Sequence, residues 1–243
     1  MLFKFLFFFS LNQLLFCAES NTPVKALWVV RDYLTQKKFI NEVLDFANKN
    51  GFNHIFVQVR GRGDAYYNSE FVPKSHLVKS NFDPLDYLIK SNINNNIKIH
   101  AWINVYYLWS SISAPSQSNH LLLNNPEWLD RKTDDNYIKK EIYLRNKNRL
   151  IIDGEGFYLA PTNPAVNSYL INVVDELSKK YNLDGIHYDY IRFHNSRYGF
   201  NEKGLQNFNK KNFNKINANK EVLFSEFKRN SITEFVKKAS HII

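Results

Sequence analysis

The chain has 243 residues, of which 44% are hydrophobic and 23% are charged, and these proportions exclude a disordered or fibrous protein. Its 32 basic and 23 acidic residues give a net charge of +9, which favours an anionic partner such as a cell-wall polysaccharide, a membrane surface or a nucleic acid. The basic residues are scattered and accompany no motif that reads nucleic acid, so we predict a polysaccharide partner and no nucleic-acid partner.

Residues 1–18 have the outline of a secretory signal peptide, because Lys4 precedes an interrupted apolar run that ends in small residues. The run is too short for a transmembrane helix, which needs about 20 apolar residues. We therefore predict a signal peptide over 1–18, one folded domain over 19–243, and export to the periplasm or cell envelope. Cys17 is the single cysteine and excludes an internal disulfide. Lipidation of Cys17, which would attach the protein to a membrane, is the alternative to its loss with the signal, although the preceding Phe16 is larger than is usual for a lipid anchor.

Apolar runs typical of buried strands alternate with segments of helical period along the rest of the chain. Strands are predicted at 26–31, 54–60, 98–107 and 185–193, and helices at 36–50, from Asp83-Pro84, from Asn163-Pro164 and from about Phe224. We expect Thr35 to cap the first helix. Residues 108–161 form a polar and aromatic excursion whose length indicates a functional insertion, with a mobile surface insertion as the alternative.

This alternation predicts a parallel sheet covered by helices. No strand is followed by a glycine-rich phosphate loop, which argues against an open nucleotide-binding sheet. We therefore predict an α/β fold of the TIM-type (β/α) barrel class. The chain contains no Gly-x-Ser-x-Gly elbow, so a serine esterase site is not expected.

In a (β/α) barrel the catalytic residues stand at the carboxyl ends of the strands. Three predicted strands carry polar or aromatic groups toward that end. The resulting candidates are Arg60, Arg62, Asp64, His100, Trp102, Asn104, Tyr106, His187, Asp189, Tyr190 and Arg192. Flat aromatic rings such as that of Trp102 suit stacking on sugar faces.

Asp189 is the most informative candidate, because an unpaired buried carboxylate in an apolar strand would cost several kcal/mol. We predict a catalytic carboxylate, and an ion pair with Arg192 or Arg60 is the structural alternative. Strand alternation places His187 on the same face as Asp189, although a histidine there can equally be a core residue. His187 and Asp189 with His100 or Asp64 could assemble a divalent site. No dense histidine cluster of metal-ligand spacing accompanies them, so we predict no metal and no cofactor.

Five segments resemble successive signatures of the bacterial glycosyl-hydrolase-like family 10. They are VQVRGRGDAYYNS (57–69), FDPLDYLI (82–89), IHAWINVYYLW (99–109), NHLLLNNPEWL (119–129) and YNLDGIHYDYIRF (181–193). The resemblance implies a TIM-type barrel that acts on glycosidic bonds. A characterised group of divisome-localised members further implies cleavage of peptidoglycan strands stripped of their peptides. It also implies that Asp189 is an active-site carboxylate, and that the sugar cleft is lined by Arg60, Asp64, His100, Asn104 and Arg192.

A complete eightfold barrel takes about 250 residues, whereas this chain offers four convincing strands and the family continues beyond its last residue. We therefore expect a barrel truncated after about five βα units. Glycoside hydrolysis needs two carboxylates. Asp189 supplies one, and the other is Asp64, a residue of the excursion such as Glu155, or a residue of the missing strands. The sequence thus predicts an exported hydrolase of peptide-free peptidoglycan strands. A catalytically incomplete barrel, acting as a glycan-binding module or surviving as a gene remnant, is the alternative.

Overall fold

The computed structural model describes residues 23–133, 149–152, 154–213 and 219–242. The predicted signal peptide, with Cys17, lies outside these ranges. The strands are β1 (Ala26–Val29), β2 (His54–Arg60), β3 (Lys98–Asn104), β4 (Tyr107–Trp109), β5 (Phe157–Tyr158) and β6 (Gly185–Asp189). The α-helices are α1 (Lys37–Lys49), α2 (Pro84–Ser91), α3 (Leu121–Asn124), α4 (Pro164–Lys180), α5 (Glu202–Asn212) and α6 (Lys220–Ser240), and short 3-10 helices span Arg31–Leu34 and Pro126–Trp128.

Four strands form a parallel sheet in the order β1-β2-β3-β6. Parallel neighbours need a long crossover, and α1, α2 and α4 supply one between each consecutive pair. The structure thereby confirms the α/β class and the parallel sheet, while the predicted truncation of a barrel stays a prediction. Strands β4 and β5 pair antiparallel within the excursion.

The two faces of the sheet differ in character. One face is aliphatic and belongs to the hydrophobic core; its side chains Ile55, Val57, Val59, Ile99, Ala101 and Ile103 are at most 2% exposed. Fully burying one such aliphatic side chain stabilises the fold by about 1.5–3 kcal/mol. The other face, called the inner face here, carries aromatic and polar side chains and remains partly open to solvent, since Trp28 is 53% exposed.

Capping residues explain most helix boundaries. The Asp83 and Asn163 side chains accept from backbone N–H groups in the first turns of α2 and α4, each just before a proline, as predicted. The expected Thr35 cap is wrong, because α1 begins after Gln36 and the Thr35 hydroxyl donates to the Asp32 carbonyl. Helix α6 begins at Lys220, before the predicted start at Phe224, because Asn219 caps it.

The third and fourth predicted strands end earlier than expected. The third stops at Asn104 and the fourth at Asp189. The fourth strand ends there because the next residue, Tyr190, has a φ of 49°, which is incompatible with an extended strand. Among the described helices, none is both long and apolar enough to cross a membrane.

Candidate active site

A row of hydrogen-bonded polar side chains crosses the carboxyl ends of β1, β2 and β3. Arg31 Nη1 donates to Gln58 Oε1 at 3.0 Å, and Gln58 Nε2 donates to Asn104 Oδ1 at 3.4 Å. Asn104 Nδ2 in turn donates to the Gly61 carbonyl at 2.9 Å. Gln58 and Asn104 are buried and Arg31 is half-buried. The two buried side chains therefore hold the row in place, and Arg31 is the member that solvent or a ligand can reach.

Asp189 extends the polar row onto β6, because it is paired in register with Asn104. Trp102 Nε1 donates to its Oδ2 at 3.1 Å, and the Tyr190 backbone N–H donates to its Oδ1 at 2.7 Å. The carboxylate is half-buried. Within the described residues it forms no ion pair, since Arg192 pairs with Glu155 instead. The geometry therefore orients the carboxylate without neutralising its charge.

Aromatic side chains cover the inner face below this row. The rings of Trp28 and Phe56 stack at 4.7 Å, and Phe56 and His100 stack at 4.5 Å. His187 meets the Trp102 ring edge-on at 6.2 Å, which places it on the face that carries Asp189, as strand alternation predicts.

His100 lies farther from the carboxyl ends of the strands than the residues of the polar row. It pairs with Gly185 in the sheet, four residues before Asp189 and so about 13 Å from it along the strands. Its Nε2 lies 2.9 Å from His54 Nδ1. Burial and the neighbouring His54 lower the pKa of His100. This position is at the amino-terminal side of the sheet, away from the polar row.

Two predicted cleft residues, Arg60 and Tyr106, are fully buried. A register irregularity between Gln58 and Arg60 turns Arg60 away from the inner face, and its Nη1 donates to the carbonyls of Asn104 and Val105. The Tyr106 hydroxyl donates to Asn167 Oδ1 at 2.9 Å. Neither side chain reaches solvent in this structure, and both support the site from behind.

The loop after β2 separates its two candidates. Asp64 is 5% exposed, and its Oδ1 accepts from the Arg62 backbone N–H at 3.1 Å. It thereby closes a tight turn through Gly63, whose φ is 73°. The Arg62 guanidinium is partly exposed and lies 6.0 Å from the centre of the Trp109 ring. Arg62 is accessible at the site, whereas Asp64 holds the loop.

A cluster of aromatic and charged residues lies where the excursion meets the end of β6. We call it the rim cluster, and it consists of Tyr107, Glu155, Tyr158, Tyr190 and Arg192. Arg192 Nη2 donates to Glu155 Oε2 at 2.7 Å, and the Tyr158 hydroxyl donates to the same oxygen. The guanidinium lies 5.4 Å and 5.0 Å from the ring centres of Tyr158 and Tyr190, and Tyr190 stacks on Tyr107 at 4.6 Å.

Glu155 is electrostatically stabilised within the rim cluster. The hydrogen bonds from Tyr158 and Arg192 lower its pKa, because donors to the charged form favour ionisation. The same hydrogen bond and burial raise the pKa of the Tyr158 hydroxyl. Glu155 is therefore an ionised anchor for Arg192 at neutral pH.

Sequence reasoning missed Arg31 and Gln58 as members of the site. The position of Arg31, directly after the first strand, is a signal that could have found it. Asp130, a buried carboxyl group outside the polar row, was also not singled out, and no local pattern marks it. Burial raises the pKa of Asp130 to about 7, although the backbone N–H groups of Arg131 and Gly199 oppose this shift. Across the described residues, no three or more His, Cys, Asp or Glu side chains are arranged to hold a metal ion.

Known proteins are similar to this chain in sequence or in fold. Glycosyl hydrolase DigH of Escherichia coli (strain K12) is 24% identical over 216 residues, which cover 86% of this chain and 45% of DigH. Glycosyl hydrolase YngK of Bacillus subtilis (strain 168) is 22% identical over 190 residues, which cover 71% of this chain and 34% of YngK. The chain thus spans less than half the length of either relative.

A solved structure supports the fold. The glycoside hydrolase domain of PgaB (BpsB) from Bordetella bronchiseptica superposes with a TM-score of 0.60 at 14% identity, over 90% of this chain and 61% of that chain. The model of the family described as Glycosyl hydrolase-like 10 matches residues 21–243, and this match confirms the resemblance of the sequence motifs. The chain therefore belongs to the glycosyl hydrolase-like 10 family.

Proposed function

We propose that this protein is an exported glycoside hydrolase, that it acts on peptide-free peptidoglycan strands, and that Asp189 is its principal catalytic carboxylate. The observation that carries the proposal is the setting of Asp189, a half-exposed carboxylate at the carboxyl end of a parallel strand. It lies beside polar and aromatic side chains suited to a sugar. The family supports a carbohydrate substrate in general, and the signal-like segment 1–18 supports export.

The hydrogen bonds of Asp189 suggest how it acts. Both carboxylate oxygens accept from N–H donors, at 3.1 Å from Trp102 and 2.7 Å from Tyr190. Each oxygen keeps a further lone pair that can meet the substrate. A carboxylate held in this way can attack an anomeric carbon or accept a proton from water, which are the roles of the second carboxylate in retaining and inverting enzymes.

Glu155 fits a role in substrate binding better than one as proton donor. A general acid must be protonated when the leaving group departs, and the partners of Glu155 favour its ionised form. Asp64 also fits poorly as a partner of Asp189, because it is 5% exposed and closes a turn. We therefore assign the tyrosines and Arg192 of the rim cluster to contacts with sugar rings and hydroxyls.

The test compares the purified chain with its Asp189→Asn variant on peptide-free peptidoglycan strands, with mass spectrometry of the released saccharides. Asp175→Asn is the matched control, because the Asp175 carboxylate lies on the surface of α4 and, among the described residues, accepts only from Lys179 Nζ. The Ser178 hydroxyl donates to the backbone carbonyl of Asp175, which asparagine retains. We expect saccharides from the wild type and from Asp175→Asn, and none from Asp189→Asn, with similar melting temperatures for all three.

Two outcomes would contradict the proposal. Release by Asp189→Asn at the wild-type rate would show that Asp189 is not catalytic. A wild-type protein that melts cooperatively and binds the strands saturably, yet releases nothing, would instead indicate a glycan-binding module.

A further inference from the structure

We infer that Arg31 is a specificity residue of this cleft and binds a carboxylate carried by the glycan, so that the preferred substrate class is an anionic polysaccharide. This inference rests on the proposed function, because it assumes that a glycan lies along the polar row toward Asp189. It adds a residue that neither the sequence motifs nor the family match identifies.

Arg31 is held above the carboxyl end of β2. Its side chain lies directly over Gly61, because a Cβ built on Gly61 would be 2.7 Å from Arg31 Cδ and 2.8 Å from Arg31 Nη1. Its Nη1 also donates to Gln58 at 3.0 Å. The guanidinium is therefore held above the end of β2, two interstrand spacings or about 10 Å from β6. A glycan bound next to Asp189 would extend across this distance.

The charge of Arg31 is not paired with a carboxylate of the described residues. A guanidinium has five N–H donors, and in the described part of the chain Arg31 forms one side-chain hydrogen bond and no ion pair. Arg192 differs, because Glu155 pairs with it at 2.7 Å. Arg62, over the Trp109 ring, likewise has no carboxylate within ion-pair distance among the described residues. The cleft thus presents two cations that pair with no carboxylate of the described residues, and Arg31, which lies along the polar row from the Asp189 carboxylate, can pair with an anionic group of a ligand.

A carboxylate is the ligand group that suits the guanidinium of Arg31. Arginine binds carboxylates through two parallel N–H donors, and a guanidinium that is already oriented loses less freedom on binding. Arg31 is half-buried and braced by Gln58 and Gly61, so its orientation is set before a ligand arrives. A sugar that carries a carboxylate satisfies this site better than a neutral sugar, which offers hydroxyl acceptors alone.

The test uses two matched substrates: peptide-free peptidoglycan strands with their natural lactyl carboxylates, and the same strands with those carboxylates converted to neutral amides. The wild type should cleave the natural strands with a kcat/KM about 10- to 100-fold higher, the range expected of a hydrogen bond between charged groups. Arg31→Gln should lose this preference, so that its kcat/KM on natural strands falls to about its own kcat/KM on amidated strands.

Two further variants separate position from charge. Gly61→Ala keeps Arg31 but displaces its guanidinium, and Gly61 lies outside the left-handed region, so the backbone tolerates alanine. It should lower the preference for natural strands in the same direction as Arg31→Gln. Arg229→Gln, on the exposed surface of α6, removes an equal charge at a residue outside the polar row and should leave the preference unchanged.

The result that overturns the inference is equal cleavage of both strands by the wild type, or an unchanged preference in Arg31→Gln. If the wild type cleaves neither strand, the proposed function fails, and calorimetric binding of the same two strands then decides the inference. Tighter binding of the natural strands by the wild type, lost in Arg31→Gln, would support carboxylate recognition without hydrolysis. Equal binding of the two strands by the wild type would overturn it.

Discussion

Trp102 links Asp189, the proposed catalytic carboxylate, to the aromatic inner face. Its indole N–H donates to Asp189 Oδ2, and its ring contacts His187. The position is therefore both a packing site and a donor site. A substitution that keeps the ring but removes the donor separates these two contributions.

We expect Trp102→Phe to lower kcat about 10-fold or more with little change in KM, because one hydrogen bond that orients the Asp189 carboxylate is lost. Trp28→Phe is the control, since Trp28 lies on the same face and packs on Phe56 without contacting Asp189. Steady-state kinetics on peptidoglycan strands measures the effect. An unchanged kcat in Trp102→Phe would show that the indole does not position the carboxylate.

Tyr190 has a φ of 49°, a left-handed backbone conformation that is unfavourable for residues other than glycine. A left-handed residue other than glycine costs roughly 1–2 kcal/mol. Tyr190→Gly and Tyr190→Ala both lose the stack on Tyr107, but only glycine relieves this cost. We therefore expect Tyr190→Gly to be more stable than Tyr190→Ala by about 1 kcal/mol in urea unfolding. Equal stabilities would contradict backbone strain at this position.

Individual residues show how far the sequence can predict the site. Alternation along β6 predicts that His187 and Asp189 share a face, because the side-chain period of a strand is two. The same period fails for Arg60, since the register irregularity after Gln58 reverses the face and no residue type announces it. The end of the first predicted strand marks the position of Arg31, but its hydrogen bond to Gln58 joins a 3-10 helix to β2, and sequence spacing does not reveal this contact.

At the scale of elements, the antiparallel pair β4-β5 connects the excursion to the site. Gly156 has a φ of 127°, and a Cβ there would lie 2.2 Å from the Trp109 carbonyl oxygen. That collision involves backbone and cannot be relieved by a side-chain rotation. The pairing of β4 with β5 therefore depends on glycine at position 156, and the position of Glu155, the preceding residue, depends on that pairing.

We expect Gly156→Ala to destabilise the protein by at least about 1–3 kcal/mol and to weaken glycan binding, because the rim cluster loses its support. Gly154→Ala is a milder control: its φ is 54° and its Cβ would meet only the His194 side chain, at 3.0 Å. Denaturant unfolding and calorimetric binding measure both effects. Equal destabilisation by the two variants would contradict a specific backbone clash at Gly156.

The elements differ in how well their sequence marks them. Helices α2 and α4 begin at Asp83-Pro84 and Asn163-Pro164, where the cap and the proline act locally, and such starts are predictable. Helix α5 was missed, because its Lys- and Asn-rich segment has a weak apolar stripe. It forms where Asn201 caps it and Phe208 is buried against other parts of the fold, which is tertiary information.

At the scale of the whole molecule, protonation of buried groups couples stability to pH in two opposing directions. Burial and His54 lower the pKa of His100, and burial lowers the pKa of His120. The His120 Nδ1 accepts from the Leu122 N–H, which favours the neutral ring, whereas the Arg62 carbonyl, 2.8 Å from Nε2, opposes the lowering of the pKa. Below pH about 6.5 the unfolded chain therefore binds more protons at these histidines, and stability falls as the pH decreases.

Asp130 acts in the opposite direction, because burial raises its pKa to about 7. Between pH about 4 and 7 the folded state holds a proton at Asp130 that the unfolded state has released. Stability from this group thus falls as the pH rises through the window, by at most about 1.4 kcal/mol per pH unit, and is constant above it. In the wild type this trend partly cancels that of the histidines.

Asp130→Asn should expose the histidine trend. Its Oδ1 can still accept from the Arg131 and Gly199 N–H groups, but the group no longer titrates. The free energy of unfolding of the variant minus that of the wild type should increase as the pH rises from 4 to 7. The variant's own free energy of unfolding should also fall more steeply than that of the wild type as the pH decreases over this range. Melting temperatures of both proteins from pH 4 to 9 measure the difference. A difference that does not vary with pH would mean that Asp130 is ionised in the folded protein throughout this range, which would contradict a pKa raised by burial.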